Sequence, residues 1–156
     1  MSKPSFVYVT FIRTTPEKVW AALTTPEVSR KFWNGHAIIA ENRVGGEFRM
    51  ERDGDLIVAG EVLECEPPRR LAYSFKATYA QVAHEAPSHV LYEIEQDKDR
   101  VKLTVTHDGF EQGSQTFEMI RNGWPAAMSS LKSLLETGKG LEHFADCAAQ
   151  NVKEHA

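Results

Sequence analysis

Cysteine is scarce in this sequence: only Cys65 and Cys147 occur, far apart along the chain. They form neither a metal-binding spacing nor a disulfide framework, so no metal site is expected and both thiols should stay reduced. Basic charge is also short. Lys and Arg number 18 against 22 for Asp and Glu, a net charge of −4 with an isoelectric point near 5.9. A nucleic-acid partner would call for a basic surface, and an anionic membrane would not attract this one. No run of about 18 apolar residues is present to span a bilayer. The opening Met1-Ser2-Lys3-Pro4-Ser5-Phe6 lacks an apolar signal core, and Ser2 stands where N-myristoylation requires glycine. A cytoplasmic location is the resulting expectation. There is no phosphate-cradling glycine loop, nucleophile elbow or paired-carboxylate motif, and nothing calls for a cofactor.

What is there suits a single globular domain. The 156 residues are 42% hydrophobic and 26% charged, enough for a core without staples. Phe6 to Ile12 is rich in β-branched and aromatic residues and reads as a strand. Thr15-Pro16-Glu17 opens a short helix with Val19, Trp20 and Leu23 on its apolar face. Thr25-Pro26-Glu27 repeats the signal, and a second short helix ends near Phe32-Trp33. From His36 to Asp108 the period is two, with tight turns at Asn42 to Gly46, Asp53-Gly54-Asp55 and Asp97 to Arg100. Six strands joined by short connections imply an antiparallel meander.

Beyond Gly113 the period becomes 3.6. Phe117, Ile120, Trp124, Ala127 or Met128, Leu131, Leu134 and Leu135 form one stripe on a long helix. Gly123 and Pro125 predict a kink, and Gly138 a left-handed stop. The order is β-α-α-β-β-β-β-β-β-α, an α+β chain. Its economical packing wraps one twisted sheet around the long helix. Residues 1–139 read as the domain and 140–156 as an appended tail. In that tail Leu141, Phe144, Ala145, Ala148 and Val152 follow helical spacing. Such a helix is marginal alone and needs its own domain or a second copy to pack on, so a homodimer is a further expectation.

Several segments together carry a resemblance. They are Thr15 to Glu27, Phe32-Trp33, Val44-Gly45-Gly46-Glu47-Phe48, Gly60 to Glu64 and Pro67-Pro68-Arg69-Arg70-Leu71. They continue with Val105-Thr106-His107, Gly123-Trp124 and Leu131-Lys132. In combination the chain resembles the SRPBCC, or START-like, superfamily. Within it the match is to the family named after the activator of the ninety-kilodalton heat-shock-protein ATPase, in its small single-domain form. The resemblance implies a helix-grip fold and an apolar cavity between sheet and long helix that binds or carries a small hydrophobic or aromatic ligand. It also brings a second reading, a co-chaperone-like regulator of a chaperone ATPase.

The ligand-binding candidates are the aromatic residues on the inward face, Trp33, Phe48, Tyr73, Phe75, Tyr92 and Trp124, with His107 and Met128. Such a set lines a cavity if the sheet does not close on the helix, and fills an ordinary core if it does. Alternation places His107 with Val101, Leu103 and Val105, pointing inward. It is either a polar anchor at the end of a pocket or a structural histidine bonded to a local backbone group. A third reading is a cyclase-type enzyme with His107 and Tyr92 as acid and base, which requires both to reach one substrate atom. No independent catalytic motif supports it, so binding ranks above catalysis. Trp33 and His36 sit at the junction of the second helix and the sheet, where a pocket mouth would lie; His36 is either a gate residue there or, the favoured reading, an exposed surface residue. His84-Glu85-Ala86-Pro87-Ser88-His89 reads as a surface loop, because Pro87 breaks any metal-binding helix. Glu61 and Glu64 fall on opposite faces of one strand by alternation.

Overall fold

The computed structural model describes residues 3–141. The tail-helix reading therefore falls, from residue 142 onward, outside the described residues. Strand β1 (Phe6–Ile12) is followed by helices α1 (Pro16–Thr24) and α2 (Pro26–Phe32). Strands β2 (Ala37–Ala40), β3 (Glu47–Arg52), β4 (Asp55–Glu66), β5 (Arg70–Ala77), β6 (Ser88–Asp97) and β7 (Arg100–Asp108) come next, and α3 (Gln115–Thr137) closes the order. A single 3-10 turn, Ala80–Val82, lies in the loop between β5 and β6. Among the described residues, no helix is long and apolar enough to cross a membrane.

The seven strands form one antiparallel sheet in the order β1-β7-β6-β5-β4-β3-β2. Strands β2 to β7 make the meander. Strand β1 pairs beside β7, so α1 and α2 carry the chain across to the opposite edge. This is the α+β helix-grip arrangement expected from the element order, with a long C-terminal helix against a curved sheet. One core joins them: Leu71, Tyr73, Val90, Tyr92, Val101, Leu103 and Val105 from the sheet meet Ala127, Met128 and Leu131 of α3, all fully buried.

Local chemistry sets the element ends. Thr15 caps α1, its hydroxyl accepting from Lys18 N–H at 3.3 Å. Thr25 does not repeat that role. Its hydroxyl donates back to the Ala21 carbonyl at 2.7 Å, closing α1 instead of opening α2. Ser114 caps α3, accepting from Phe117 N–H at 3.0 Å, and Gly138 ends it at φ +87°, a conformation that costs glycine little. The helix continues through Pro125, which lacks the N–H that would bond the Arg121 carbonyl.

The strand face was legible except where a bulge intervenes. The β4–β5 register shifts between Val62 and Glu64. That extra residue resets the alternation, and Glu61 and Glu64 are both exposed rather than divided between the faces. Gly60 is required by close approach: a Cβ there would lie 1.8 Å from the Ser74 carbonyl oxygen.

Candidate functional site

A cleft opens where the β3–β5 side of the sheet faces the first half of α3. Met50, Ile57, Val58, Phe75 and Ala77 line one wall, and Thr116, Met119, Ile120, Gly123 and Trp124 the other. Trp33 and His36 close one end, and Tyr79 joins from the segment after β5. Among the described residues, no Asp, Glu, Lys or Arg lines it. Its free volume is about 40 Å³, which on the order of three water molecules would fill.

The end wall is built by α2. Ser29, fully buried, donates to the His36 carbonyl at 3.1 Å and accepts from Ile38 N–H at 2.8 Å, tying the helix to β2. His36 is 2% exposed, a correction to the expected surface position. Its Nδ1 lies 2.7 Å from the Trp33 carbonyl, so Nδ1 carries the proton and donates. Trp33 stands edge-on to Trp124, ring centres 5.3 Å apart. The two indoles meet at the boundary between cleft and core.

Of the eight candidate residues, Trp33, Phe75 and Trp124 line the cleft. Phe48, Tyr73, Tyr92, His107 and Met128 lie in the closed interior instead. Phe48 stacks on Tyr73 with ring centres 3.6 Å apart, and the Tyr73 and Tyr92 hydroxyls bond each other at 2.9 Å. Burial raises both tyrosine pKa values, so both phenols stay protonated. These side chains fill the closed interior between the middle of the sheet and α3. The cleft survives toward the β5 end, where the sheet leaves the helix.

His107 is completely buried and fully engaged. Trp124 Nε1 donates to its Nδ1 at 3.0 Å, which assigns the ring proton to Nε2. Nε2 donates to Ser88 Oγ at 2.8 Å, and Ser88 donates in turn to the Phe75 carbonyl at 3.4 Å. Burial, with a smaller contribution from the charge of His89, depresses the His107 pKa to about 3. The ring is neutral throughout the physiological range. Tyr92 and His107 thus each have protein partners, and neither faces the cleft, so they do not form the acid–base pair that the cyclase reading requires.

The segment read as a plain surface loop has a structural role. Glu85 reaches the start of α3, accepting from the Ser114 hydroxyl at 2.7 Å, Gln115 N–H at 2.9 Å and Thr116 N–H at 3.4 Å. Lys76 holds the same segment from below, donating to the carbonyls of Val82 at 3.0 Å and Ala83 at 3.1 Å, and to that of Glu85. Tyr79 and Thr116, on either side of this clamp, both line the cleft. Burial raises the Glu85 pKa, but the bonds from Ser114, Gln115 and Thr116 outweigh it and the net shift is downward. The clamp therefore stabilises the fold above the ordinary carboxylate pKa and is lost as pH falls through the lower folded value. Glu85→Ala should cost about 1–2 kcal/mol at neutral pH, the range of a lost helix cap. Urea unfolding of the variant checks this, and an unchanged midpoint would contradict it. The sequence offered one signal for this clamp, a lone acid in an otherwise uncharged loop. Nothing local connects it to Ser114.

The family model described as Activator of Hsp90 ATPase homolog 1-like protein matches residues 13–136. No curated protein matches significantly. Solved structures do. Protein MLL2253 from Mesorhizobium loti is 25% identical over 85% of this chain and 96% of its own, with a TM-score of 0.72. The Aha1 dimer from Colwellia psychrerythraea is 20% identical over 88% of this chain and 99% of its own, TM-score 0.72. PFC0360w, an HSP90 activator from Plasmodium falciparum, is 21% identical over 84% and 95%, TM-score 0.69. The last two likenesses are of fold alone. The family match takes in every element from α1 to α3, and with the helix-grip topology it places this chain in the Activator of Hsp90 ATPase homolog 1-like family.

Proposed function

We propose that this protein binds a small, uncharged hydrophobic or aromatic molecule in the cleft between β3–β5 and the first half of α3. The observation that carries this reading is the lining. Among the described residues, thirteen meet there without one Asp, Glu, Lys or Arg, in a chain that is 26% charged. A charged ligand would lose its hydration with no opposite charge to offset the loss. An apolar one gains about 25 cal/mol for each Å² it buries. The free volume is small, so the ligand enters by displacing Met50 and Met119, whose unbranched side chains repack readily. Trp33, Phe75 and Trp124 supply flat apolar surface, and Thr116 and Tyr79 supply polar tips.

Ile57 lines the cleft and is only half-buried, so a larger side chain there takes up the free volume. Calorimetric titration with neutral aromatic probes should show saturable binding to the native chain. Ile57→Trp should weaken it by at least about tenfold, a loss of roughly 1.4 kcal/mol, with an unchanged melting point. Equal affinity in Ile57→Trp would remove the ligand from this cleft. The second reading, regulation of a chaperone ATPase, is supported by the family description and by the Plasmodium neighbour's being an HSP90 activator. Stimulation of a chaperone's ATPase rate by this chain, unaffected by Ile57→Trp, would favour it.

A further inference from the structure

Helix α3 does two jobs along its length. In its second half Ala127, Met128 and Leu131 are fully buried in the core. In its first half Thr116, Met119, Ile120, Gly123 and Trp124 form one wall of the cleft. Gly123 and Pro125 stand at the junction. Pro125 removes the N–H that would bond the Arg121 carbonyl, and glycine and proline are the residues that support a helix least. Helices bend at such points. The free end of the first half is fastened from outside, where Glu85 accepts from the Ser114 hydroxyl and from the N–H groups of Gln115 and Thr116. The segment that carries Glu85 is tied in turn to the opposite wall. Lys76 of β5 donates to the carbonyls of Val82, Ala83 and Glu85. Thr78 donates its N–H to the Ile57 carbonyl at 3.0 Å and its hydroxyl to the Leu56 carbonyl at 2.8 Å.

We infer that residues 115–122 of α3 are the gate of the cleft, hinged at Gly123–Pro125 and latched by Glu85. The inference rests on the cleft as the ligand site and adds how that site is entered. Of the residues lining the cleft, Ile57, Tyr79 and Met119 are half-buried and the rest are buried, so these three mark the mouth. They come one each from β4, the Glu85 segment and the first half of α3. Parting the helix from the segment widens the mouth, and the Glu85 bonds oppose that parting. Trp124, whose Nε1 donates to His107 at 3.0 Å, pins the hinge end, so the swing grows toward Thr116. The core residues beyond Pro125 stay in place, which keeps the opening local. A closed cleft with a free volume of about 40 Å³ admits an aromatic molecule only through such a movement, and Met119 moves with the gate.

Acrylamide quenching of tryptophan fluorescence tests the gate without a ligand, because this small neutral molecule must reach the cleft indoles to quench them. The full chain is used with Trp20→Phe, which leaves Trp33 and Trp124 as the emitters. Trp20 Nε1 has no hydrogen-bond partner, so phenylalanine loses no bond there. Glu85→Ala should raise the quenching constant by at least about fivefold, the population change that a lost cap allows. Glu85→Gln should raise it less, and decides the matter should Glu85→Ala fail to fold. Pro125→Ala, which restores the missing N–H outside the cleft lining, should return the Glu85→Ala value toward the native one. Leu134→Ala weakens the core-packed half of α3 instead and should leave quenching unchanged. Native quenching in both Glu85 variants overturns the inference, as does an equal rise in Leu134→Ala. A rise that Pro125→Ala does not reverse puts the movement outside the helix and also overturns it. Should quenching respond as expected while neutral aromatic probes fail to bind, the gate stands and the ligand reading of the cleft falls.

Discussion

Leu131→Ala should lower the unfolding free energy by about 2–5 kcal/mol, the range for a leucine removed from a packed core. Leu131 is fully buried in the middle of α3, inside the single core that joins the helix to the sheet. At this chain length the loss corresponds to a melting point lower by about 5–15 °C. Leu134, one turn on, is only partly buried against the same core. Its alanine variant should cost less, about 1–2 kcal/mol. Differential scanning calorimetry separates the two. Equal losses would mean that the helix presents a different face to the sheet.

His107 gives the second large effect, and it carries a pH signature. His107→Ala removes a buried ring and leaves Trp124 Nε1–H and Ser88 Oγ without their shared partner. Cavity and unmet hydrogen bonds together should cost about 3–5 kcal/mol at pH 7.5. The folded pKa is about 3, well below the ordinary histidine value near 6.5. Below that ordinary value the unfolded chain takes up a proton that the folded chain refuses. The stability held by the neutral ring is therefore complete above pH 6.5 and lost progressively from there down to about 3. The deficit of His107→Ala should shrink by about 1.4 kcal/mol for each pH unit between 6 and 5. Most carboxylates do not titrate there, so urea unfolding at several pH values reads the histidine directly. A deficit that does not change with pH would mean that His107 is accessible to protons in the folded state.

The sequence made His107 conspicuous but left its role open, and the reason is geometric. Period two places a side chain on a face and says nothing of what comes across from another element. Trp124, the partner of His107, lies on α3, and only the three-dimensional packing joins the two. The same limit hid the difference between core and cleft. Tyr73, Phe75 and Ala77 share one face of β5. Tyr73 falls beneath α3, whereas Phe75 and Ala77 reach past it and line the cleft. Nothing in the sequence around His36, at the junction of the second helix and the sheet, marks it as buried. Its burial depends on Ser29, which fastens α2 to β2 from seven positions earlier. By contrast, the strands, the turn at Asp53-Gly54 and the stop at Gly138 were legible because their determinants are local. The two breaks in the pairing register, one at Ile57 against Met50 and Glu51 and one after Val62, have no such local mark.

The claim that the cleft is a ligand site is tested most directly by nuclear magnetic resonance of the three indole N–H groups during titration with a neutral aromatic probe. Trp33 and Trp124 line the cleft, whereas Trp20 lies on α1 and does not. The Trp33 and Trp124 signals should move and saturate together, with backbone shifts at Ala77, Met119 and Gly123, while Trp20 stays in place. Three unmoved indoles across the probe set, or shifts confined to the outer face of the sheet, would contradict the account.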